Sequence, residues 1–297
     1  MGFNNNTLPG EVLDRVIMGL EGKDGALVDQ VGQKIFVSDL SGTIPAIASK
    51  SLLARLEDEG LPEGAVAKDF DMEMSNDTYA LRRYVGKSYI ADGSRIALDS
   101  YGLQALSMYA MQCRRFAAAK LNKKLDTVLK DTGKNEEKAV ATAWTDAVNS
   151  TPIKDMQDAM GLCGYGDFAI FGRDVAEALV LTDDFKSRSH NFAAGAVTQA
   201  ELVGQIQGLF PNLRKIIIGS NMFDQNAEGL PSNLGYQFDG LAFVGHERGL
   251  VVLEQQGAPD SAQWRDEHRE ATGIRYTRRM DIVRVHDDLG CVFTGTI

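Results

Sequence analysis

Residues 92–130 read DGSRIALDSYGLQALSMYAMQCRRFAAAKLNKKLDTVLK, and this stretch gives the strongest helix signal in the chain. Its apolar side chains recur every three or four residues, which is the period of one helix face. They are Leu98, Tyr101, Ala105, Leu106, Tyr109, Cys113, Phe116, Ala117, Leu121, Leu125 and Val128. The pattern covers about 30 residues, or about 45 Å, whereas the mean helix has about 11–12 residues. It therefore predicts one unusually long helix, with Asp92 or Asp99 able to cap its start.

The segment before this helix has a different character. Leu8 to Glu21 has helical spacing and predicts a short helix or arm, and Lys34–Val37 predicts a strand. Ser41–Pro45 is a turn-rich break, and residues 46–68 show little packing pattern. Two strands, 69–74 and 78–90, are predicted to form a hairpin that turns at Ser75-Asn76-Asp77. Because so long a loosely patterned stretch is rare inside a compact domain, we expect a projecting loop that packs on a neighbour.

The segment after the long helix alternates between helices and strands. Helices are predicted at 136–148, at 153–160 behind Pro152, at 173–180 and at 198–209. Strands are predicted at 168–171, 214–219, 240–245 and 250–254, and residues 257–272 are expected to form a loop with a short helix. A closing hairpin is predicted from strands 276–286 and 291–296. The fold class is therefore α+β.

The charge and the cysteines restrict the classes of function. The formal net charge is −10 and the pI is about 5.0, so a tight phosphate-binding protein with a basic field is disfavoured. Cys113, Cys163 and Cys291 are too widely spaced for a CxxC pair, which indicates reduced thiols in a cytoplasmic setting. Neither a signal peptide nor an apolar run of about 18 residues is present in the sequence, so we expect no membrane association.

Catalytic motifs are equally scarce. The glycine-rich stretch 161–166 follows a helix, whereas a phosphate-binding loop follows a strand, so these glycines are interpreted as a turn. Cys163 has no histidine near it in sequence, and Asp266-Glu267-His268 resembles a metal cluster only in composition. The acidic runs Asp183-Asp184 and Glu57-Asp58-Glu59 are interpreted as exposed surface. We predict no catalytic, cofactor-binding or metal-binding residues, no cofactor, and no enzymatic activity.

The basic side of the long helix permits two interpretations. It could be a nucleic-acid stripe, or a solvated face whose cations pair with acidic neighbours, and the second is favoured. Its members are Arg114, Arg115, Lys120, Lys123 and Lys124.

The order of these parts resembles the tailed-bacteriophage major capsid protein, which has the Hong Kong phage (Johnson) capsid fold. Four segments carry the resemblance: residues 34–45, 75–84 followed by 90–94, 167–176 with Leu179, and 215–220. Together the likeness covers residues 8 to 296. It implies an N-terminal arm at 1–29, an extended E-loop with flanking strands at 30–92, a P-domain with the spine helix at 93–160 completed by 273–297, and an A-domain at 161–272.

The resemblance also implies a function. We expect a major capsid protein that self-assembles into hexamers and pentamers of an icosahedral phage head in the host cytoplasm. The head would enclose double-stranded DNA without sequence-specific binding. A separate scaffolding protein, a portal protein and a possible decoration or cement protein are the expected partners. An encapsulin-type shell that packages protein, and an α/β enzyme with a nucleotide near Ile216–Gly219, stay open as alternatives.

Overall fold

The computed structural model describes residues 26–47, 74–100, 104–164, 166–188, 199–219, 222–224, 234–236, 238–285 and 290–297. Six α-helices and fourteen strands lie in these ranges, so the predicted α+β class is confirmed. The helices are α1 (Asp92–Ser100), α2 (Ala105–Leu129), α3 (Pro152–Leu162), α4 (Arg173–Leu181), α5 (Asp183–Arg188) and α6 (Gln199–Leu209).

The strands follow one another in chain order and form four sheets. They are β1 (Gln33–Val37), β2 (Ser41–Ile47), β3 (Met74–Ala80), β4 (Arg82–Ala91), β5 (Glu136–Ala139), β6 (Phe168–Gly172), β7 (Lys215–Gly219), β8 (Met222–Asp224), β9 (Leu234–Tyr236), β10 (Ala242–Gly245), β11 (Leu250–Gln255), β12 (Asp260–Asp266), β13 (Ala271–Arg284) and β14 (Gly290–Thr294).

The chain divides into two compact units. The first contains the described residues within 1–41, 80–125 and 252–282, and the second contains those within 42–79, 126–251 and 283–297.

A five-stranded sheet and helix α2 form the centre of the first unit. The strand order is β1-β11-β13-β12, and β4 also pairs with β13, antiparallel from Arg82 opposite Met280 to Ala91 opposite Ala271. Helix α2 packs on β4 and β13 through Cys113, Ala117 and Ile274, which are fully buried. The approach is so close that a Cβ on Gly86 would lie 1.7 Å from the Cys113 carbonyl oxygen. Only glycine fits at this position of β4.

The second unit is a sheet covered by helices. The strand order is β5-β14-β10-β6-β7, with β6 parallel to β7 and antiparallel to β10. All five side chains of β6 are buried, which matches the continuous apolar run in the sequence. Helices α3, α4 and α6 contribute buried side chains to the same core. The Trp144 indole there donates to the Asp155 carboxylate at 3.1 Å, so its buried N–H has a partner.

The predicted long helix is correct in place but is divided. Helix α1 ends at Ser100 and α2 begins at Ala105, while residues 101–103 lie outside the described ranges. The Ala105 amide donates to the Asp99 carboxylate at 3.1 Å, so Asp99 satisfies an N-terminal donor of α2. The predicted apolar stripe was wrong at Phe116, which is 49% exposed. The side chain of Ala110, on the buried face, was not in the predicted stripe.

The helix predicted at 136–148 is wrong. Glu136–Ala139 forms strand β5, which pairs in parallel with β14, and turns follow to Ser150. Glu, Lys and Ala favour helices in isolation, but the hydrogen bonds offered by a strand about 150 positions away override this weak preference.

The turns predicted at 41–45 and 75–77 are also wrong. Both segments are extended, because Ser41–Ile47 is β2, Met74–Ala80 is β3, and these two strands pair with each other. The two-stranded sheet of this region is therefore formed by β2 and β3, and not by the strands predicted at 69–74 and 78–90. Pro45 is tolerated because a two-stranded ribbon leaves one edge of each strand without a ladder.

Two errors occur near the C-terminus. Residues 260–266, expected in a loop with a short helix, form strand β12, which pairs with β13 from Asp260 opposite Thr277 to Asp266 opposite Ala271. The predicted closing hairpin does not exist, since β13 and β14 belong to different sheets. A polar strand such as β12 carries little hydrophobic signal, and the sequence pattern does not specify the partner of an apolar strand.

The remaining predictions agree with the structure to within two residues. The helices predicted at 153–160, 173–180 and 198–209 are α3, α4 and α6, and the strands at 34–37, 168–171, 214–219, 240–245 and 250–254 are also present. The predicted arm at 8–21 and the weakly patterned 48–68 lie outside the described residues.

Candidate assembly surface

The β2–β3 ribbon is a two-stranded sheet with two unlike faces. Gly42, Ile44, Asp77 and Tyr79 are half-buried, whereas the alternating positions on both strands are exposed. The Tyr79 ring lies against Gly42, where a Cβ would come within 2.8 Å of it. A two-stranded sheet is at best marginally stable in water, so this ribbon depends on further contacts.

Polar contacts fix the ribbon where it begins and ends. The Asp77 carboxylate pairs with the Lys134 ammonium at 2.7 Å. The Ala80 amide donates to Asp281 at 3.0 Å, and the Leu81 amide donates to the Leu40 carbonyl at 2.8 Å. These contacts hold the base of the ribbon and leave its outer face exposed.

Strand β1 and the turn that follows it, immediately before the ribbon, expose apolar side chains. Phe36 is 58% exposed, Leu40 52% and Ile35 38%. Ile35 and Phe36 are adjacent on a strand, so they point to opposite faces, and β1 is an end strand of its sheet. Exposed apolar groups on an edge strand are typical of a surface that another chain covers.

A group of four charges, in which Arg278 and Glu254 are buried and Asp29 and Lys34 are partly exposed, connects the segment before β1 to the sheet. The Arg278 guanidinium donates to Glu254 at 2.9 and 3.2 Å and to Asp29 at 2.8 and 2.7 Å. Lys34 pairs with Glu254 and lies 3.6 Å from Asp29. The group has two cations and two anions, and the Glu254 side chain is completely buried. Paired charges of this kind stabilise their geometry only as a complete set.

This charge group also shifts ionisation. Burial works against the charged form of Asp29, but hydrogen bonds and charge from Arg278 outweigh it, and the pKa of Asp29 lies below its ordinary value of 3.8. Burial likewise opposes the charged guanidinium, yet the hydrogen bonds to Asp29 and Glu254 raise the pKa of Arg278. Both groups therefore remain charged at neutral pH. The sequence analysis missed this group, although Glu254 in an otherwise apolar strand was a usable signal.

Cys163 is placed poorly for a nucleophile. Its thiol is buried, burial raises its pKa, and it donates to the Met160 carbonyl at 3.6 Å. The His246 ring lies 3.8 Å from Asp167, but its other nitrogen contacts the Cys163 carbonyl oxygen and not the sulfur. A nucleophilic cysteine needs an accessible thiolate, which this arrangement disfavours.

The other sequence candidates have structural contacts. The Asp266 carboxylate accepts from the Arg269 amide at 3.2 Å and stabilises the turn after β12. Asp184 accepts from the Ile153 amide at 3.3 Å at the start of α3. Gly164 has φ +68° and lies in the turn that follows α3, as the turn interpretation predicted. Glu57-Asp58-Glu59 lies outside the described residues.

Two of the basic side chains on this side of α2, Lys120 and Lys124, contact neighbouring strands. Lys124 pairs with Asp281 at 3.6 Å, and Lys120 donates to the Val85 carbonyl at 2.7 Å. Within the described residues, His, Cys, Asp and Glu side chains do not gather in any group of three that could hold a metal ion. Over the same ranges, none of the helices is long and apolar enough to cross a bilayer.

Comparison with known proteins gives similarity in structure only. No family model matches the chain, and no curated protein matches it in sequence. A phage-related protein from Bordetella bronchiseptica superposes with a TM-score of 0.69 at 14% identity, over 96% of both chains. A virus-like particle from Pyrococcus furiosus gives 0.59 at 11% identity, over 96% of this chain and 98% of the other.

The mature capsid of bacteriophage PhiM1 gives 0.51 at 13% identity, over 91% of this chain and 87% of the other. These likenesses extend over nearly the full length of both partners, so they concern the whole architecture and not one shared motif. The chain has the fold of the phage major capsid proteins.

Proposed function

We propose that this chain is the major capsid protein of a tailed phage, a structural subunit that self-assembles into the hexamers and pentamers of an icosahedral head. The observation that carries the proposal is the structural agreement with a phage capsid subunit over almost the whole chain. The exposed ribbon and the apolar side chains of β1 support it, because both need a covering partner. A closed symmetric shell supplies that partner from identical copies.

The proposal includes the division into N-terminal arm, E-loop, P-domain and A-domain at the boundaries predicted from sequence. In this scheme the β2–β3 ribbon is the base of the E-loop, and α2 is the spine helix. A head of this kind encloses double-stranded DNA, resides in the virion and assembles in the host cytoplasm. Its further partners are a separate scaffolding protein, a portal protein and a possible decoration protein. An encapsulin-type shell is the less favoured alternative, because the PhiM1 structure is a phage capsid.

Electron microscopy of the purified protein, beside size-exclusion chromatography, tests the proposal. We expect closed shells or six- and five-membered rings. A protein that stays monomeric or dimeric at high concentration, with and without a scaffold, would contradict it. The nucleic acid or protein content of shells produced with the full set of neighbouring genes separates the phage head from the encapsulin.

A pair of variants at Phe36 sharpens the test. Phe36→Asp introduces a charge on a side chain that is 58% exposed, so the subunit should fold, but the contact that covers β1 should fail. Phe36→Leu keeps an apolar side chain and serves as the matched control. We expect shells from the control alone, with equal unfolding midpoints for both subunits. Normal shells from Phe36→Asp would show that β1 is not an assembly contact.

A further inference from the structure

One face of the β4–β13 ladder carries an unusual arrangement of cations. Arg83 lies directly opposite Arg279, and Lys87 lies directly opposite Arg275. Since residues two apart share a face, all four side chains project from the same side of the sheet. We call these four residues the cationic face. Like charges directly opposite each other destabilise a sheet, so this arrangement has a cost that nearby anions would reduce.

Some compensation is local. Arg275 lies 3.3 Å from the Asp260 carboxylate, and Arg279 donates to the Gln255 amide oxygen at 2.8 Å. The Lys87 ammonium lies 4.8 Å from the centre of the Tyr89 ring and 5.0 Å from that of Trp264. These contacts orient the cations, yet Arg83 and Lys87 both remain exposed. The register also places Asp266 of β12 on this side, but Asp266 pairs with Arg269, so the four cations outnumber the carboxylates near them.

The two units differ in charge, and the first unit, which contains the cationic face, is the more basic of the two. The sequence ranges of the first unit hold 17 Lys and Arg against 14 Asp and Glu, while those of the second hold 14 against 27, which accounts for all 31 basic and 41 acidic residues. The cationic face therefore belongs to a unit with a positive balance in a chain of net charge −10. A positive surface of this kind attracts polyanions.

The surroundings of the cationic face indicate the class of polyanion. The opposite side of the ladder packs on α2 through Ile274 and Tyr276, so the cationic side points away from that core. The two aromatic side chains on this face, Tyr89 and Trp264, are half-buried and pack against each other and against Lys87, and none of the large apolar side chains found exposed among the described residues lies there. A stable protein partner would need apolar contacts at its centre, whereas phosphates need guanidinium and ammonium groups. This difference favours a nucleic-acid backbone over an acidic protein.

We propose that the cationic face is a sequence-independent binding surface for the phosphates of double-stranded DNA. The inference rests on the proposed function and deepens it, because it names the surface through which a capsid subunit would contact the DNA it encloses. The contact is electrostatic and weak, since only four cations take part. It follows that binding should fall steeply with salt.

The test is a salt titration of unassembled full-length subunits with a fluorescent 30-base-pair duplex of random sequence. Four phosphate contacts predict a loss in affinity of about 150-fold between 50 and 200 mM salt. The double variant Arg83→Gln, Lys87→Gln should lose only about 12-fold over the same range, because two contacts remain. The matched control, Arg214→Gln with Arg248→Gln, changes two exposed cations of the second unit and should behave as the unchanged protein does.

Two outcomes would overturn the proposal. One is an equal salt dependence in the double variant and the unchanged protein. The other is binding of polyglutamate without binding of the duplex, which would assign the face to an acidic protein segment. Shell formation by the same preparations, seen by electron microscopy, reports on the capsid proposal separately. Normal shells without duplex binding would leave the capsid proposal standing and reject this one.

Discussion

Glu254→Gln is the substitution that tests the group of four charges most directly. The Glu254 side chain is fully buried, accepts two hydrogen bonds from Arg278 and pairs with Lys34. The glutamine has nearly the same shape but no charge. After the change, Arg278 and the partly exposed Lys34 share the single carboxylate of Asp29, so the buried guanidinium loses one of its two anionic partners. Removing one member of a buried pair costs about 3–5 kcal/mol.

The expected loss can be measured by urea unfolding at pH 7 in a Trp144→Phe background. Trp264 is then the only tryptophan, and its fluorescence reports on the first unit. With a denaturant slope of about 3 kcal/mol/M, the midpoint should fall by about 1–1.7 M while the slope stays the same. The double variant Glu254→Gln, Arg278→Met leaves Lys34 with Asp29 and should be less destabilised than the two single changes combined.

Asp260→Asn is the matched control, because it removes a largely exposed pair with Arg275 in the same unit that Trp264 reports on. An exposed pair of this kind contributes about 0.2–1 kcal/mol. If Glu254→Gln lowers the free energy of unfolding no more than this control does, the charge group does not stabilise the first unit and the reasoning fails.

Three further predictions concern ionisation and packing in the two units. Asp29 has a lowered pKa, so its contribution to stability is fully present above its ordinary value of 3.8 and is lost as the pH falls through the lower value of the folded protein. The gap in urea midpoint between the unchanged protein and Asp29→Asn should therefore be smaller at pH 3 than at pH 6, and a constant gap would contradict this. Gly86→Ala should lower the melting temperature sharply, because the added carbon meets the backbone of α2. The control Gly93→Ala in α1 meets nothing within 4 Å and should be neutral or stabilising. Equal effects of the two substitutions would refute the close packing at Gly86. Burial raises the pKa of Cys113 to about 11 and that of Cys291 to about 12. A thiol reagent at pH 8 should therefore label neither of these cysteines before denaturant is added. Rapid labelling of either one in the native protein would contradict this prediction.

The sequence predicted those elements whose signal is local. Helix α3 begins with Pro152, and α4 begins directly after the buried strand β6. A window of about a dozen residues therefore contains the signal that predicts each helix. The buried strands β6 and β7 were equally visible, because continuous burial requires a continuous apolar run. The order of these elements was also sufficient to suggest the capsid fold.

The assembly surface was less accessible from sequence. The predicted projecting loop and the β2–β3 ribbon occupy the same region of the sequence. Residues 41–45 and 75–77 were predicted as turns but are strands, since Ser75-Asn76-Asp77 favours a turn in isolation. The cationic face of the β4–β13 ladder was not predicted from the sequence. Arg83 and Arg279 are nearly 200 positions apart, and only the register of β4 on β13 places them opposite each other.

The α+β class, the positions of α3, α4 and α6 and those of the buried strands follow from the sequence, whereas α5 was not predicted. Only the folded chain shows that β5 and β12 are strands, that β13 and β14 lie in different sheets, and that Arg278 meets Asp29 and Glu254. The physical reason is the range of the interactions. Helical hydrogen bonds and apolar periodicity act within a few residues, whereas strand pairing and buried ion pairs join residues far apart in the chain, and their free energy exists only after the chain has folded.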